Sequence, residues 1–113
     1  AAIRAAQLGL KTACVEKWTN DKGAPVLGGT CLNVGCIPSK SLLDSSHHYY
    51  DAINHFETHG ISIQGNIKVD LDKMISRKQN VVDQTRKGID FLMNKNKIKV
   101  QSVTVSKRKG QWH

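Results

Sequence analysis

Gly28-Gly29-Thr30-Cys31-Leu32-Asn33-Val34-Gly35-Cys36-Ile37-Pro38-Ser39-Lys40 is the stretch on which the interpretation of this chain turns. Two cysteines sit five positions apart, with glycines before and between them and Pro-Ser-Lys just after. In a regular helix, positions i and i+5 are about 500° apart in rotation and about 7.5 Å apart along the axis. A disulfide needs Cα atoms roughly 4.4–6.8 Å apart. The segment must therefore be distorted if the sulfurs are to meet, and Gly35 supplies backbone freedom beside Cys36. Pro38 fits an early helical turn, where its missing N–H costs little. A helix starting here would offer its N-terminal dipole to a thiolate and make the pair reactive.

Spacing alone leaves three chemistries open: a redox pair, two inert buried thiols, and half of a metal site. A metal site usually joins two pairs of Cys or His, each with two to four intervening residues. Here four residues intervene and no second pair exists. His47 and His48 are adjacent and would point to different faces of a helix.

Upstream, Ala1 to Leu8 is rich in alanine, and Gly9 is placed to end a helix as a C-cap. A strand is expected at Lys11 to Val15, closed by Glu16. Helix, glycine, strand and acid make the second half of a dinucleotide-binding βαβ unit, in which the acid binds a ribose hydroxyl. The plain alternative for Glu16 is an exposed carboxylate at a strand end. Lys17 to Leu27 is a loop, with Asn20, Asp21, Gly23 and Pro25 as turn formers. Cys14 lies in the apolar strand and is expected to be a small buried side chain.

Downstream of Ser39 the pattern becomes helical. Leu42, Leu43, Tyr49, Tyr50, Ile53 and Phe56 recur at helical intervals, and Gly60 ends the run. His47, His48, His55 and His59 lie on or near this helix, with no third group to orient them as catalysts. Ile61 to Val69 alternates apolar and polar residues around Gly65. Asp70 resembles an N-cap for a long second helix. Its apolar stripe is Leu71, Met74, Ile75, Val81, Val82, Ile89, Leu92 and Met93, and Gly88 weakens it locally. Lys73, Arg77, Lys78, Arg86 and Lys87 make the wet face. One or two strands are expected between Ile98 and Ser106, from Ile98, Val100, Val103, Thr104 and Val105.

Taken whole, GGTCLNVGCIPSK resembles the active-site signature of the class I flavin disulfide reductases. With the following LLDSSHHYYDA it is most similar to the members that oxidise dihydrolipoamide for 2-oxo acid dehydrogenase complexes. The resemblance runs from Ala1 to about Ile98. It implies an α/β fold: an incomplete Rossmann-like FAD-binding domain with an inserted helical pair. Residues 1–113 are then a partial FAD-binding domain that lacks the first strand and the G-x-G-x-x-G turn, with 99–113 as an uncertain tail. The nicotinamide and dimerisation domains of the family have no counterpart here. Cys31 would exchange with the dithiol substrate, and Cys36 would lie against the isoalloxazine and pass electrons to it. Lys40 matches the lysine beside flavin N5. Gly29 and Thr30 would approach the FAD pyrophosphate, and Glu16 the ribose. NAD+ would bind in a domain not present here, and the catalytic histidine of the family has no match in this sequence. The partner implied is a lipoyl domain, and the parent a homodimer. Where the family shows a Gly-x-Gly-like stretch near the end, this chain has Gln101-Ser102-Val103-Thr104-Val105.

Charge and composition narrow the alternatives. The chain has 113 residues, a formal net charge of +8 and three cysteines. The basic residues are scattered, apart from Lys107-Arg108-Lys109, and lack the aromatic interleaving of a nucleic-acid surface. No run approaches the ~20 apolar residues of a membrane span. A reversible cysteine pair in a reducing compartment suggests catalysis rather than stapling. The length of loop 17–27 resembles bacterial members, which favours cytoplasm over mitochondrial matrix. Two alternatives remain: another flavin disulfide reductase of the glutathione or mercuric type, and a freestanding basic binding module with inert cysteines.

Overall fold

The computed structural model describes residues 1–102 and, as backbone, the short strand segments at 107–108 and 111–112. The chain divides into two compact units, residues 1–29 with 86–113, and residues 30–85.

The first unit is α/β. Helix α1 (Ala2–Gln7) rests on the high helix propensity of alanine. Gly9, at φ +87°, ends it: its N–H donates to Ala6 O at 3.0 Å and that of Leu10 to Ala5 O at 3.2 Å. This is the Schellman pattern, which satisfies carbonyls the helix end would orphan. Strand β1 (Ala13–Glu16) pairs in parallel with β2 (Lys99–Ser102), in register Ala13 with Lys99 through Glu16 with Ser102. A parallel pair requires a crossover rather than a hairpin, and the long intervening sequence supplies it. The observed β1 starts two residues later than the sequence suggests and includes Glu16. Cys14 is half-buried in it rather than fully buried. The apolar centre of this unit includes Val26, Leu27 and Ile98.

Loop 17–27 is ordered by its turn formers. Asn20 Oδ1 accepts from the Lys22 and Ala24 N–H groups at 3.0 Å each. Gly23 takes φ +74°, and Thr19 bridges Pro25.

The second unit is helical. Helix α2 (Gly29–Asn33) is followed after a two-residue break by α3 (Cys36–Asn54) and a 3-10 turn at Phe56–His59. Gly60 closes that turn at φ +74°, with Ile61 N–H donating back to Phe56 O at 3.0 Å. Residues 61–69 run on without regular structure. Helix α4 (Leu71–Lys95), whose residues 86–95 belong to the first unit, begins with the expected cap: Asp70 Oδ1 accepts from Lys73 N–H at 3.0 Å. Such a cap contributes about 1 kcal/mol. The helix runs through Gly88 without interruption.

The burial pattern refines the apolar stripes. On α3, Pro38 and Ser41 are buried and Leu42, Tyr49 and Phe56 half-buried, whereas Leu43, Tyr50 and Ile53 lie open. On α4, Val82 is the most deeply buried, and Leu71, Ile75 and Leu92 are exposed. The periodicity thus locates one covered line on each helix; the adjacent apolar positions face outward.

At the end of the chain, β3 (Lys107–Arg108) and β4 (Gln111–Trp112) form a short antiparallel ladder. The strand expected across Val103, Thr104 and Val105 lies outside the described residues, as does Lys109 of the basic run. Among the described residues, no helix is long and apolar enough to cross a membrane.

Candidate active site

The cysteine pair straddles the break between α2 and α3. Cys31 is the third residue of α2, and Cys36 is the first of α3. Val34 N–H still donates to Thr30 O at 3.0 Å, and Ser39 N–H begins the next ladder on Gly35 O at 3.1 Å. The break at Val34 and Gly35 therefore interrupts the axial separation that a continuous helix would impose on i and i+5.

Gly35 is required by close approach. A Cβ there would lie 3.0 Å from Thr30 O and 3.2 Å from Cys31 Cα, and both are backbone atoms that cannot rotate aside. Gly28, at φ +107°, precedes α2 and Gly29, at φ +60°, opens it; both are left-handed values that side chains resist. Nothing lies within 4 Å of where a Gly29 Cβ would stand, so the turn is open on that side. Pro38, third in α3, sits where backbone N–H groups have no intrahelical partner.

Both thiols are free and exposed. The side-chain hydrogen bond to Cys36 pushes the Cys31 thiol above its ordinary value, with a smaller contribution from lost hydration. The Cys36 backbone N–H and the Lys40 charge pull the other way. The helix start alone suggests an activated thiolate; at Cys31 the neighbouring thiol outweighs it. The structure thus brings Cys31, Cys36 and Lys40 into one electrostatic neighbourhood. It holds a dithiol whose members share a proton-donor contact.

Glu16 and Gly29 belong to the other unit. Glu16 ends β1, and its Oε1 accepts the Trp18 N–H at 2.9 Å. It therefore stands at the carboxyl end of a parallel strand pair, the end at which open α/β sheets bind their ligands. His47 and His48 of α3, and His55 just beyond its end, face aspartates of α3: His47 and His55 with Asp51 at 3.2 and 3.0 Å, and His48 with Asp44 at 3.7 Å.

Sequence patterning does not single out Arg77. From α4 its Nη2 donates to Asp44 Oδ2 at 2.9 Å, and its Nη1 to Ser41 Oγ at 3.1 Å. These partners are more than thirty positions away in the chain, and no local motif links them.

The profile described as pyridine nucleotide-disulphide oxidoreductase covers residues 1–111. The chain belongs to that family. It is similar to the dihydrolipoyl dehydrogenase of Cupriavidus necator, with 53% identity over 100 residues, covering 87% of this chain and 21% of the relative. It is similar to the mitochondrial dihydrolipoyl dehydrogenase 1 of Arabidopsis thaliana, with 54% identity over 98 residues, 87% of this chain and 18% of the relative. The leghemoglobin reductase of Vigna unguiculata is 53% identical over 98 residues, 87% of this chain and 17% of that protein. The chain spans about a fifth of the length of the curated relatives it matches. Bacterial and mitochondrial members of the family match with nearly equal identity.

Proposed function

We propose that this chain is part of the FAD-binding domain of a dihydrolipoyl dehydrogenase, and that Cys31 and Cys36 are its redox-active pair. The observation that carries the proposal is the hydrogen-bonded, exposed dithiol across the α2–α3 break, beside Lys40, in a member of this family. In the oxidised state Cys31 and Cys36 form a disulfide. A thiolate of dihydrolipoamide attacks the Cys31 sulfur, the S–S bond breaks, and Cys36 departs as a thiolate. The second substrate thiol, after losing its proton, attacks the substrate sulfur of the mixed disulfide. Lipoamide leaves and Cys31 is released as a thiolate. Two electrons and two protons have then passed from substrate to protein, leaving the dithiol form.

FAD held here would supply the two-electron chemistry that links this dithiol to NAD+. The residues present fit such a cofactor. The open glycine turn at Gly28 and Gly29 suits close backbone approach of a pyrophosphate, with Thr30 adding a hydroxyl. Glu16, at the carboxyl end of β1, suits a ribose hydroxyl. Lys40 supplies a positive charge that stabilises anionic states at the redox centre.

The parallel β1–β2 pair and the glycine turn support the finer fold reading, a partial Rossmann-like domain carrying α3 and α4 as an inserted helical pair. Residues 1–113 would cooperate with nicotinamide and dimerisation domains of a longer homodimeric enzyme. A lipoyl domain of a 2-oxo acid dehydrogenase complex is the partner that delivers substrate. The length of loop 17–27 supports a bacterial, cytoplasmic setting.

The test is Cys36→Ser in the full-length protein. Dihydrolipoamide-dependent NADH formation should be lost while the FAD absorbance that co-purifies with the protein is retained. Turnover at the wild-type level would sink the assignment. Glutathione disulfide and mercuric ion, assayed on the wild type, separate the other disulfide reductases.

A further inference from the structure

Asp44 stands four residues after Lys40 on α3, the spacing at which a carboxylate and an ammonium pair along a helix. They do not pair. Asp44 Oδ2 takes Arg77 Nη2 at 2.9 Å, and Oδ1 faces His48 Nε2 at 3.7 Å. Arg77 Nη1 also donates to Ser41 O at 3.3 Å, Ser41 Oγ at 3.1 Å and Ser45 Oγ at 3.3 Å. Ser41 is one of the two buried residues of α3 and directly follows Lys40. One guanidinium from α4 thus engages three residues of α3, which suits the fixed fork of donors on arginine better than the point charge of a lysine. Among the described residues Lys40 forms no ion pair.

We propose that Arg77 is a positioning residue for the redox centre: it holds Asp44 away from Lys40 and so leaves the Lys40 charge available to the Cys31–Cys36 pair. The inference rests on the assignment of that pair as the reacting centre. The charge of Lys40 already reaches Cys31 and favours its thiolate. A carboxylate seated on Lys40 would turn a single charge into a dipole, and its influence at the sulfur would fall accordingly. The charged and titratable groups of this neighbourhood are Lys40, Asp44 and His48 on α3 and Arg77 on α4.

The experiment measures iodoacetamide alkylation of Cys31 at neutral pH in the reduced full-length protein, with Cys31 and Cys36 distinguished by fragment mass spectrometry. Arg77→Gln keeps a donor for Ser41 but withdraws the positive charge from Asp44. Cys31 should then react about two- to threefold more slowly, the size expected of one exposed ion pair. Adding Asp44→Asn to Arg77→Gln should restore the wild-type rate, which loss of a merely structural contact would not do. Arg77→Lys, which keeps the charge, should stay near wild type. An unchanged rate in Arg77→Gln overturns the proposal, and so does a double variant as slow as the single one. Alkylation requires neither lipoamide nor turnover. Failure here would leave the substrate assignment untouched, and failure of the lipoamide assay would leave this test standing.

Discussion

Cys31 is held between opposed influences, and their order decides its chemistry. The hydrogen bond to the Cys36 thiol favours the protonated sulfur and outweighs the attraction of Lys40. Cys36→Ala removes the first and keeps the second, so Cys31 alkylation at neutral pH should become faster; an equal or slower rate would contradict the assignment. The pH dependence follows in sign. A value raised above the ordinary 9.0 means that the folded, reduced protein gains from a protonated Cys31. That gain is present below the ordinary value and is lost as pH rises through the raised one. Urea midpoints of the reduced protein should therefore lose this contribution only in the alkaline range, and Cys36→Ala should shrink the loss. The pair itself was legible in the sequence, because two cysteines, three glycines, a proline and a lysine occupy local positions. Arg77 was not, because its role depends on where α4 crosses Ser41 and Asp44.

Elements were legible where the chain carries its own punctuation. Gly9, Gly60 and Asp70 each end or begin a helix as their chemistry requires. The break between α2 and α3 follows the same logic, with Gly35 as the residue that permits it. Gly35→Ala forces a Cβ to 3.0 Å from Thr30 O, so the backbone must shift. The expected cost is about 1–3 kcal/mol, as for other overpacked sites. It should appear as a lower melting temperature of the full-length protein and as slower closure of the Cys31–Cys36 disulfide. A variant that melts and closes like the wild type would show that the approach is not needed. The face each helix covers was less legible. Leu43, Tyr50 and Ile53 continue the apolar rhythm of α3 yet remain open, since periodicity reports which residues are apolar and not what packs against them.

For the molecule as a whole, the chain spans about a fifth of its relatives' length and forms two units, each with few buried side chains among the described residues. Leu8, Leu10 and Val15 stand exposed in the first unit, and Leu43, Tyr50 and Ile53 in the second. Under the proposed assignment, Cys31 and Cys36 supply only the dithiol of an enzyme whose relatives are about five times as long. The isolated 113-residue chain should therefore form no NADH from dihydrolipoamide. Measurable formation would show that these residues suffice. The α/β class was legible from the helix–glycine–strand–acid order, but the pairing of β1 with β2 was not, because Ala13 and Lys99 are joined across most of the chain and no local motif links them. The last residues carry no comparable punctuation.

A redox pair at Cys31 and Cys36 must interconvert between disulfide and dithiol on meeting dihydrolipoamide. The most direct measurement titrates the oxidised full-length protein anaerobically with dihydrolipoamide and maps new thiols by differential alkylation. New thiols should appear at Cys31 and Cys36 together, with Cys14 unchanged. Alkylation of Cys31 and Cys36 to the same extent before and after the substrate would contradict it.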